Sequence, residues 1–289
     1  LLYTQKVSLF DDMEVFMGKF DGYLLCTDID GTLVADNQTV SKENTQAIEY
    51  FKREGGKFTI ASGRIWTSMA RFFTYARPNL PVVSHNGAVV YDLENRKIVY
   101  EKVLPKSAFE VVENVDQKFG FSGIEIYTAD ALYFCKQNDR TNQHFDFEKL
   151  NYIEKKYQDI REPWQKVIFV QEPEQTLQLK KDLEQSEYYA KYSFVQSAGT
   201  FYELLHKNAC KGDALLHLAS MEGIKPAHIV AIGDNDNDVS MLCTAGISYA
   251  VENAHPAPKA AAKYMAPSNN DSAVAYAVEQ LERSLTLGK

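Results

Sequence analysis

Residues 23–33, Tyr-Leu-Leu-Cys-Thr-Asp-Ile-Asp-Gly-Thr-Leu, run a short apolar stretch straight into two acids, Asp28 and Asp30. Apolar and β-prone residues bounded by a glycine turn read as a buried strand. Two carboxylates at its C-terminal edge oppose each other's ionisation unless a cation sits between them. In open α/β sheets the crevice beyond the carboxyl ends of the strands is where ligands bind. The pair therefore points to a metal-assisted site on a parallel sheet.

The rest of the chain supplies such a sheet. After the strand Tyr23–Thr27, Ser41 is a good N-cap for a helix that carries Ala47, Ile48 and Phe51 on one face and ends near Gly55-Gly56. Lys57–Ala61 is the next strand, residues 66–76 a second helix stopped by Pro78, and Pro81–Ser84 a third short strand running into Asn86-Gly87. This βαβαβ order is the pattern of a doubly wound parallel sheet. The rhythm then changes. Residues 88–91 and 98–100 look like a hairpin, and strands at Ile124–Thr128, Ala131–Cys135, Lys166–Val170, Tyr192–Val195 and Phe201–Leu205 alternate with helices. After residue 210 the βα order resumes: helix Lys211–Met221, strand Ile229–Ile232, helix near Val239–Cys243, strand Gly246–Ala250, and a closing helix over Asp271–Leu285 capped by Asp271 or Ser272. The expected architecture is α/β, a doubly wound, Rossmann-like core built from residues 20–87 and 207–289, with an α+β domain inserted at 88–206.

Bulk properties narrow the function classes. A formal net charge of −8 argues against a general nucleic-acid binder, which shows a basic face. No run approaches the 18 or so apolar residues of a membrane span. The cysteines Cys26, Cys135, Cys210 and Cys243 are scattered and none is in C-x-x-C spacing, so a disulfide framework and a zinc knuckle are both poor readings and a reduced, cytoplasmic setting fits. The first 17 residues lack a basic stretch followed by a long apolar one, so no secretory signal is expected. Met13 and Met17 are candidate natural starts.

Four motifs carry chemistry. In Asp28-x-Asp30-Gly31-Thr32, Asp28 is a candidate nucleophile and Asp30 a candidate acid/base, with Gly31 permitting the turn; the competing reading is an acidic turn after a strand. Gly233-Asp234-Asn235-Asp236-Asn237-Asp238 follows the apolar strand Ile229–Ile232, and an N-cap accounts for one of its acids but not all of them. Both fail the spacing of a calcium loop, since positions six and twelve hold Leu33 and Thr39 in the first, Val239 and Ala245 in the second. Ser62-Gly63-Arg64 places a hydroxyl between a strand and a helix N-terminus, where anions are favoured, although a plain turn explains it as well. Lys211 opens a helix, a position that opposes the dipole unless it faces an acidic site or a phosphate. The histidines show no metal-ligand spacing and read as ordinary surface or core residues, and Tyr127, Tyr133 and Phe134 read as hairpin packing.

The order of these motifs, each at a strand end or helix start, resembles the haloacid dehalogenase-like superfamily of phosphotransferases. About seven residues separate Leu33 from Ser41, too few for a cap domain there, so the insertion follows the third strand. That placement, with Ser62-Gly63-Arg64, Asn86-Gly87-Ala88 and Gly233–Asp238-x-x-Met241, resembles the Cof-type subgroup with a type C2 cap. The resemblance implies a Mg²⁺-dependent phosphatase of small phosphomonoesters, sugar phosphates foremost. It implies Asp28 as nucleophile forming an aspartyl phosphate, and Asp30 as the acid that protonates the leaving alcohol and then takes a proton from water. It implies Mg²⁺ held by Asp28, the Asp30 carbonyl, Asp234 and Asp238, the last directly or through water. Ser62, Gly63, Lys211 and Asn237 would bind the phosphoryl group, and Arg64 and Asn86 are candidates for the substrate rim. The partner is a small phosphorylated metabolite, with no nucleic acid or membrane, and the oligomeric state is open. Two other functions use the same residues: a phosphomutase on the same core, and a catalytically silent ligand-binding or regulatory protein.

Overall fold

The computed structural model of the protein describes residues 18–129, 131–148 and 151–287. The candidate starts Met13 and Met17 lie outside the described residues. Strand β1 (Leu24–Thr27) is buried along its whole length. It lies between β2 (Lys57–Ile60) and β12 (Ile229–Gly233), both parallel to it. Strands β13 (Ile247–Val251) and β14 (Tyr264–Ala266) complete a five-stranded parallel sheet in the order β14-β13-β12-β1-β2. Residues from both ends of the chain thus share one sheet, as the βα pattern predicts. Strand β14 has no counterpart in the sequence reading, because its three residues are too few to show an alternation, and two of them, Tyr264 and Met265, are exposed.

Helices cover this sheet through their apolar stripes. In Lys42–Arg53 the Ser41 side chain accepts the Asn44 N–H as N-cap, and Ile48 and Phe51 are buried. The predicted helix over 66–76 is shorter: α-helix covers Trp66–Met69, and the bonding then tightens into a 3₁₀ turn at Ala70–Phe72. The closing helix is Ala273–Leu287, and Ser272, in the left-handed region just before it, bonds to the Ser41 hydroxyl at 2.9 Å. The third strand, β3 (Val82–Ser84), touches the parallel sheet through one bridge, Ala61 to Val83. It pairs antiparallel with β4 (Val89–Asp92), which pairs with β5 (Lys97–Glu101). Val89 and Tyr91 pack with Phe58 and Ile60 of the parallel core, so residues 89–101 belong with that core by packing.

From Leu104 onward the side chains join a different cluster. The inserted α+β segment is built on a six-stranded sheet in the order β10-β11-β9-β6-β7-β8. Its strands are β6 (Gly123–Thr128), β7 (Leu132–Lys136), β8 (Ile153–Glu154), β9 (Trp164–Val170), β10 (Tyr192–Ala198) and β11 (Phe201–His206). Side chains alternate across a strand. One face therefore carries Ile124, Ile126, Val167, Phe169, Tyr202 and Leu204, packed with Val111, Val115, Leu179 and Leu183 of the segment's helices. The opposite face carries Glu125, Tyr127, Lys166, Ile168 and Glu203, and it is this face that meets residues of the parallel core.

The four cysteines are free. Among the described residues no helix is long and apolar enough to cross a membrane.

The turn from β3 to β4 runs against the segment that leads back from the insert into the core. His85, Asn86 and Gly87 have φ of 50°, 54° and 92°, three successive residues in the left-handed region. A Cβ on Gly87 would lie 2.1 Å from the Cys210 carbonyl oxygen. Gly87→Ala therefore combines backbone strain with a backbone clash. It is expected to cost at least about 2 kcal/mol of stability, read as a fall in denaturation midpoint; an unchanged midpoint would show that the crossing is not held in this conformation.

Candidate active site

The carboxyl ends of β1 and β12 bring the two acidic motifs together. Asp28 follows β1 directly, and its N–H bonds to the Ile232 carbonyl at 3.0 Å, which pins it to the end of β12. Its side chain is almost fully buried. The third element is Lys211, the first residue of the helix Lys211–Met221 and completely buried. Its Nζ donates to Asp28 Oδ1 at 2.7 Å and to Asp238 Oδ1 at 2.6 Å. Asp238 uses its other oxygen to accept the N–H groups of Asp234 and Asn235 at 2.9 and 3.0 Å. This curls the 233–238 loop around the ammonium. A Cβ on Gly233 would come within 2.6 Å of Asp238, so the loop closes only over glycine.

Asp234 faces Asp28 from the second motif. Thr32 Oγ1 donates to Asp234 Oδ1 at 2.8 Å, joining residues 202 positions apart in the chain. Gly31 has φ of +73°, and a Cβ there would meet Asp234 Oδ2 at 2.6 Å. Oxygens of Asp28, Asp234 and Asp238 lie within 4.8 Å of one another. Burial, opposed in part by Lys211, lifts the Asp28 carboxyl well above the usual carboxylate range, and Asp238, Asp234 and Asp30 add to the lift. Burial works against the Lys211 ammonium, but Asp238 and Asp28 outweigh it and hold its pKa above the ordinary value. Three carboxylates around a single ammonium leave a surplus of negative charge with hard oxygen donors, the donor set of a divalent cation such as Mg²⁺ or Ca²⁺.

The other predicted residues surround this cluster. Ser62 is buried, and its Oγ accepts the Arg64 N–H at 3.2 Å. Gly63 packs against Asn86, whose oxygen a Cβ at this position would approach to 3.0 Å. Asn237 Nδ2 donates to Asn86 Oδ1 at 2.9 Å. Asp30, half exposed, is gripped by Arg64 through Nε and Nη2, both at 2.7 Å. Arg64 lines the cavity above the site, as a rim residue would, yet its side chain is committed to Asp30. Asn86 is not among the lining residues. It is buried, and it bonds to two residues that do line the cavity, Asn237 and Glu203.

The cavity measures about 560 Å³ and opens between the parallel core and the inserted sheet. Asp28, Asp30, Ser62, Gly63 and Asn237 line its core side. Its other wall comes from residues the sequence reading passed over. His144 lines it with Nδ1 3.0 Å from the fully buried Glu125, so it is neither plain surface nor plain core. Tyr127 also lines it, unlike Tyr133 and Phe134, and donates to Glu125 at 3.1 Å. Lys166, Arg140 and Glu203 add charged groups to this wall. The one signal available in the sequence was a lone charge inside an apolar strand: Glu125 in Gly-Ile-Glu-Ile-Tyr, Lys166 in Gln-Lys-Val-Ile-Phe-Val, Glu203 in Phe-Tyr-Glu-Leu-Leu.

Asp234 gives this electrostatic picture a test. Burial first, then Asp238, raises its pKa to about 6 in the absence of a cation, against an ordinary 3.8; Thr32 and Lys211 offset part of the effect. A carboxyl raised in the folded state contributes stability that is fully present below the unfolded value and is lost as pH rises through about 6. Without divalent cation, Asp234→Asn is therefore expected to gain about 1–3 kcal/mol relative to wild type between about pH 5 and pH 7.5. Added divalent cation should shrink or reverse that gain. A stability difference that stays flat with pH would contradict the assignment.

Comparison with known proteins agrees with this geometry. A family model of haloacid dehalogenase-like hydrolases matches residues 25–278. YxeH of Bacillus subtilis (strain 168) is 30% identical over 273 residues, covering 89% of this chain and 97% of that protein. The 5-amino-6-(5-phospho-D-ribitylamino)uracil phosphatase YbjI of Escherichia coli (strain K12) is 28% identical over 264 residues, covering 89% of this chain and 95% of that protein. The crystal structure of TM0651 from Thermotoga maritima matches with a TM-score of 0.76 at 29% identity, covering 89% of this chain and 97% of that one. With the family match running from β1 through β14, the chain belongs to the haloacid dehalogenase-like hydrolases of Cof type and is a phosphatase.

Proposed function

We propose that the protein hydrolyses small phosphomonoesters, sugar phosphates foremost, with Mg²⁺ and through an aspartyl phosphate on Asp28. The observation that carries this reading is Asp28 at the cavity floor, held from behind by the fully buried Lys211, which also binds Asp238. Asp28, Asp234 and the Asp30 carbonyl would hold Mg²⁺, which offsets the repulsion between the carboxylates and an incoming phosphate dianion. Asp238 spends both oxygens on Lys211 and on backbone N–H groups, and so supports the site from behind.

Lys211 fixes the Asp28 carboxylate and screens it, so that one oxygen can attack phosphorus and split hydrolysis into two steps. Ser62 and the backbone of Gly63 face the transferring oxygens from a strand end, with Asn237 beside them. Asp30 serves as acid for the leaving oxygen and as base for the hydrolytic water. Its carboxylate is held by the Arg64 fork, so to reach the leaving group it must swing out of that pair. The inserted segment covers the site as a lid, excluding water and reading the leaving group.

The wall chemistry supports a neutral, hydroxylated leaving group. Each basic residue lining the cavity already has a carboxylate partner: Arg64 with Asp30, Arg140 with Glu172, His144 with Glu125, Lys166 with Glu203. A second anionic group on the substrate would find no uncommitted cation among these lining residues. Hydroxyls would find donors and acceptors in Gln143, Ser197 and Thr200. The E. coli relative YbjI is named for the phosphate ester of a ribityl chain, a leaving group of this kind.

Phosphate release over a panel of sugar phosphates, nucleotides and phosphoglycolate, with and without Mg²⁺, tests the reading. Sugar phosphates are expected to turn over fastest, and chelation to stop release. Isomer formation without free phosphate would show a mutase instead. Asp28→Asn is expected to lower kcat by about 10³-fold or more with the fold intact. Asp30→Asn should cost about 10²-fold or more on sugar phosphates and under about tenfold on an activated aryl phosphate. Equal losses on both substrates would remove Asp30 from the acid role.

A further inference from the structure

Lys166 sits on the insert, yet its side chain bonds to the backbone of the core. It is 2% exposed, and Nζ donates to the Gly63 carbonyl at 2.8 Å. The same nitrogen lies 3.4 Å from Glu203 Oε2 and 4.6 Å over the Tyr127 ring. A lysine so buried needs these partners to replace its lost hydration. Glu203, equally buried, accepts from Asn86 Nδ2 at 2.7 Å, and so ties the ion pair to the Asn86–Asn237 contact of the core.

The carbonyl that Lys166 holds belongs to the Gly63–Arg64 peptide. The other end of that peptide, the Arg64 N–H, donates to Ser62 Oγ at 3.2 Å. A peptide unit is planar, so orienting its carbonyl orients its N–H. Ser62 is otherwise anchored through its backbone alone, N–H to Val83 and carbonyl from Asn86. With Oγ accepting from Arg64, the serine hydroxyl hydrogen is directed elsewhere, as a donor.

We infer that Lys166 is a positioning residue. From the inserted segment it sets the Gly63–Arg64 peptide, and through that peptide the direction in which Ser62 offers its hydroxyl, so that the phosphate site is complete only with the insert seated. The inference rests on the reading of Ser62 as a phosphoryl ligand. It separates Lys166 from a residue that merely touches the leaving group, which its place in the cavity wall would also allow.

Inorganic phosphate has no leaving group, and its inhibition constant therefore reads the phosphate site alone. Lys166→Met is expected to weaken inhibition by phosphate about tenfold. Lys166→Arg, which keeps a donor for the carbonyl, should stay within about threefold of wild type. Because Lys166→Met strands the Glu203 carboxylate, Lys166→Met/Glu203→Gln is measured beside it, with thermal melts to confirm folding. The double-mutant cycle with Ser62→Ala decides the route: if Lys166 acts through Ser62, adding Lys166→Met to Ser62→Ala should cost under about twofold more. Unchanged phosphate inhibition in both Lys166→Met and Lys166→Met/Glu203→Gln, or losses that add fully to that of Ser62→Ala, overturns the inference. Ser62→Ala with unaltered phosphate inhibition would instead overturn the role of Ser62, and the inference with it.

Discussion

One buried ammonium organises the centre of this protein. Lys211 lies fully inside, between carboxylates that belong to the ends of two neighbouring strands. Each of its partners would be costly to bury alone, and the ammonium more so; together they replace much of what water supplied. The arrangement holds β1, β12 and the helix Lys211–Met221 in one register at the point where the parallel sheet opens. It leaves negative charge in surplus once Asp234 is counted, so the residues that stabilise the junction also present oxygen donors of the kind a divalent cation takes. The glycines at 31 and 233 follow from it, since carboxylates occupy the space a side chain would need.

The inserted segment solves a related problem differently. Its sheet packs one apolar face on its own helices and turns the other toward the core. Alternation along β6, β9 and β11 places Glu125, Lys166 and Glu203 on that second face, where each finds a partner in another strand, helix or loop. Paired basic and acidic side chains make the cavity wall polar. The crossing at His85–Gly87, with three successive left-handed residues, lets Asn86 stand between the two halves and bond to both.

Much of the floor was legible in the sequence because its signals are local. Asp28-x-Asp30-Gly31-Thr32 and Gly233–Asp238 each pack acids against a strand end within a few residues, and Lys211 sits where a helix start disfavours it. Strand and helix positions followed from periodicity, except where an element was short and exposed, as in β14, or where helical bonding tightened early, after Met69. The wall was not legible. His144 looked ordinary because its partner Glu125 lies on another element, 19 residues away. Asn86 was placed at the rim on motif alone, and the fold buries it behind the lining.

The sequence by itself determined the parallel sheet, the presence of an inserted segment between its two stretches of βα alternation, and which residues stand at the strand ends, since these depend on patterns no longer than a helix or a turn. Only the tertiary structure decided which charges neutralise one another: Lys211 with Asp28 and Asp238, Arg64 with Asp30, Lys166 with Glu203. Pairing of buried charges is set by distances of a few ångströms between segments 27 to 183 residues apart in the chain. No local pattern encodes such distances, because they arise only when the sheets are stacked.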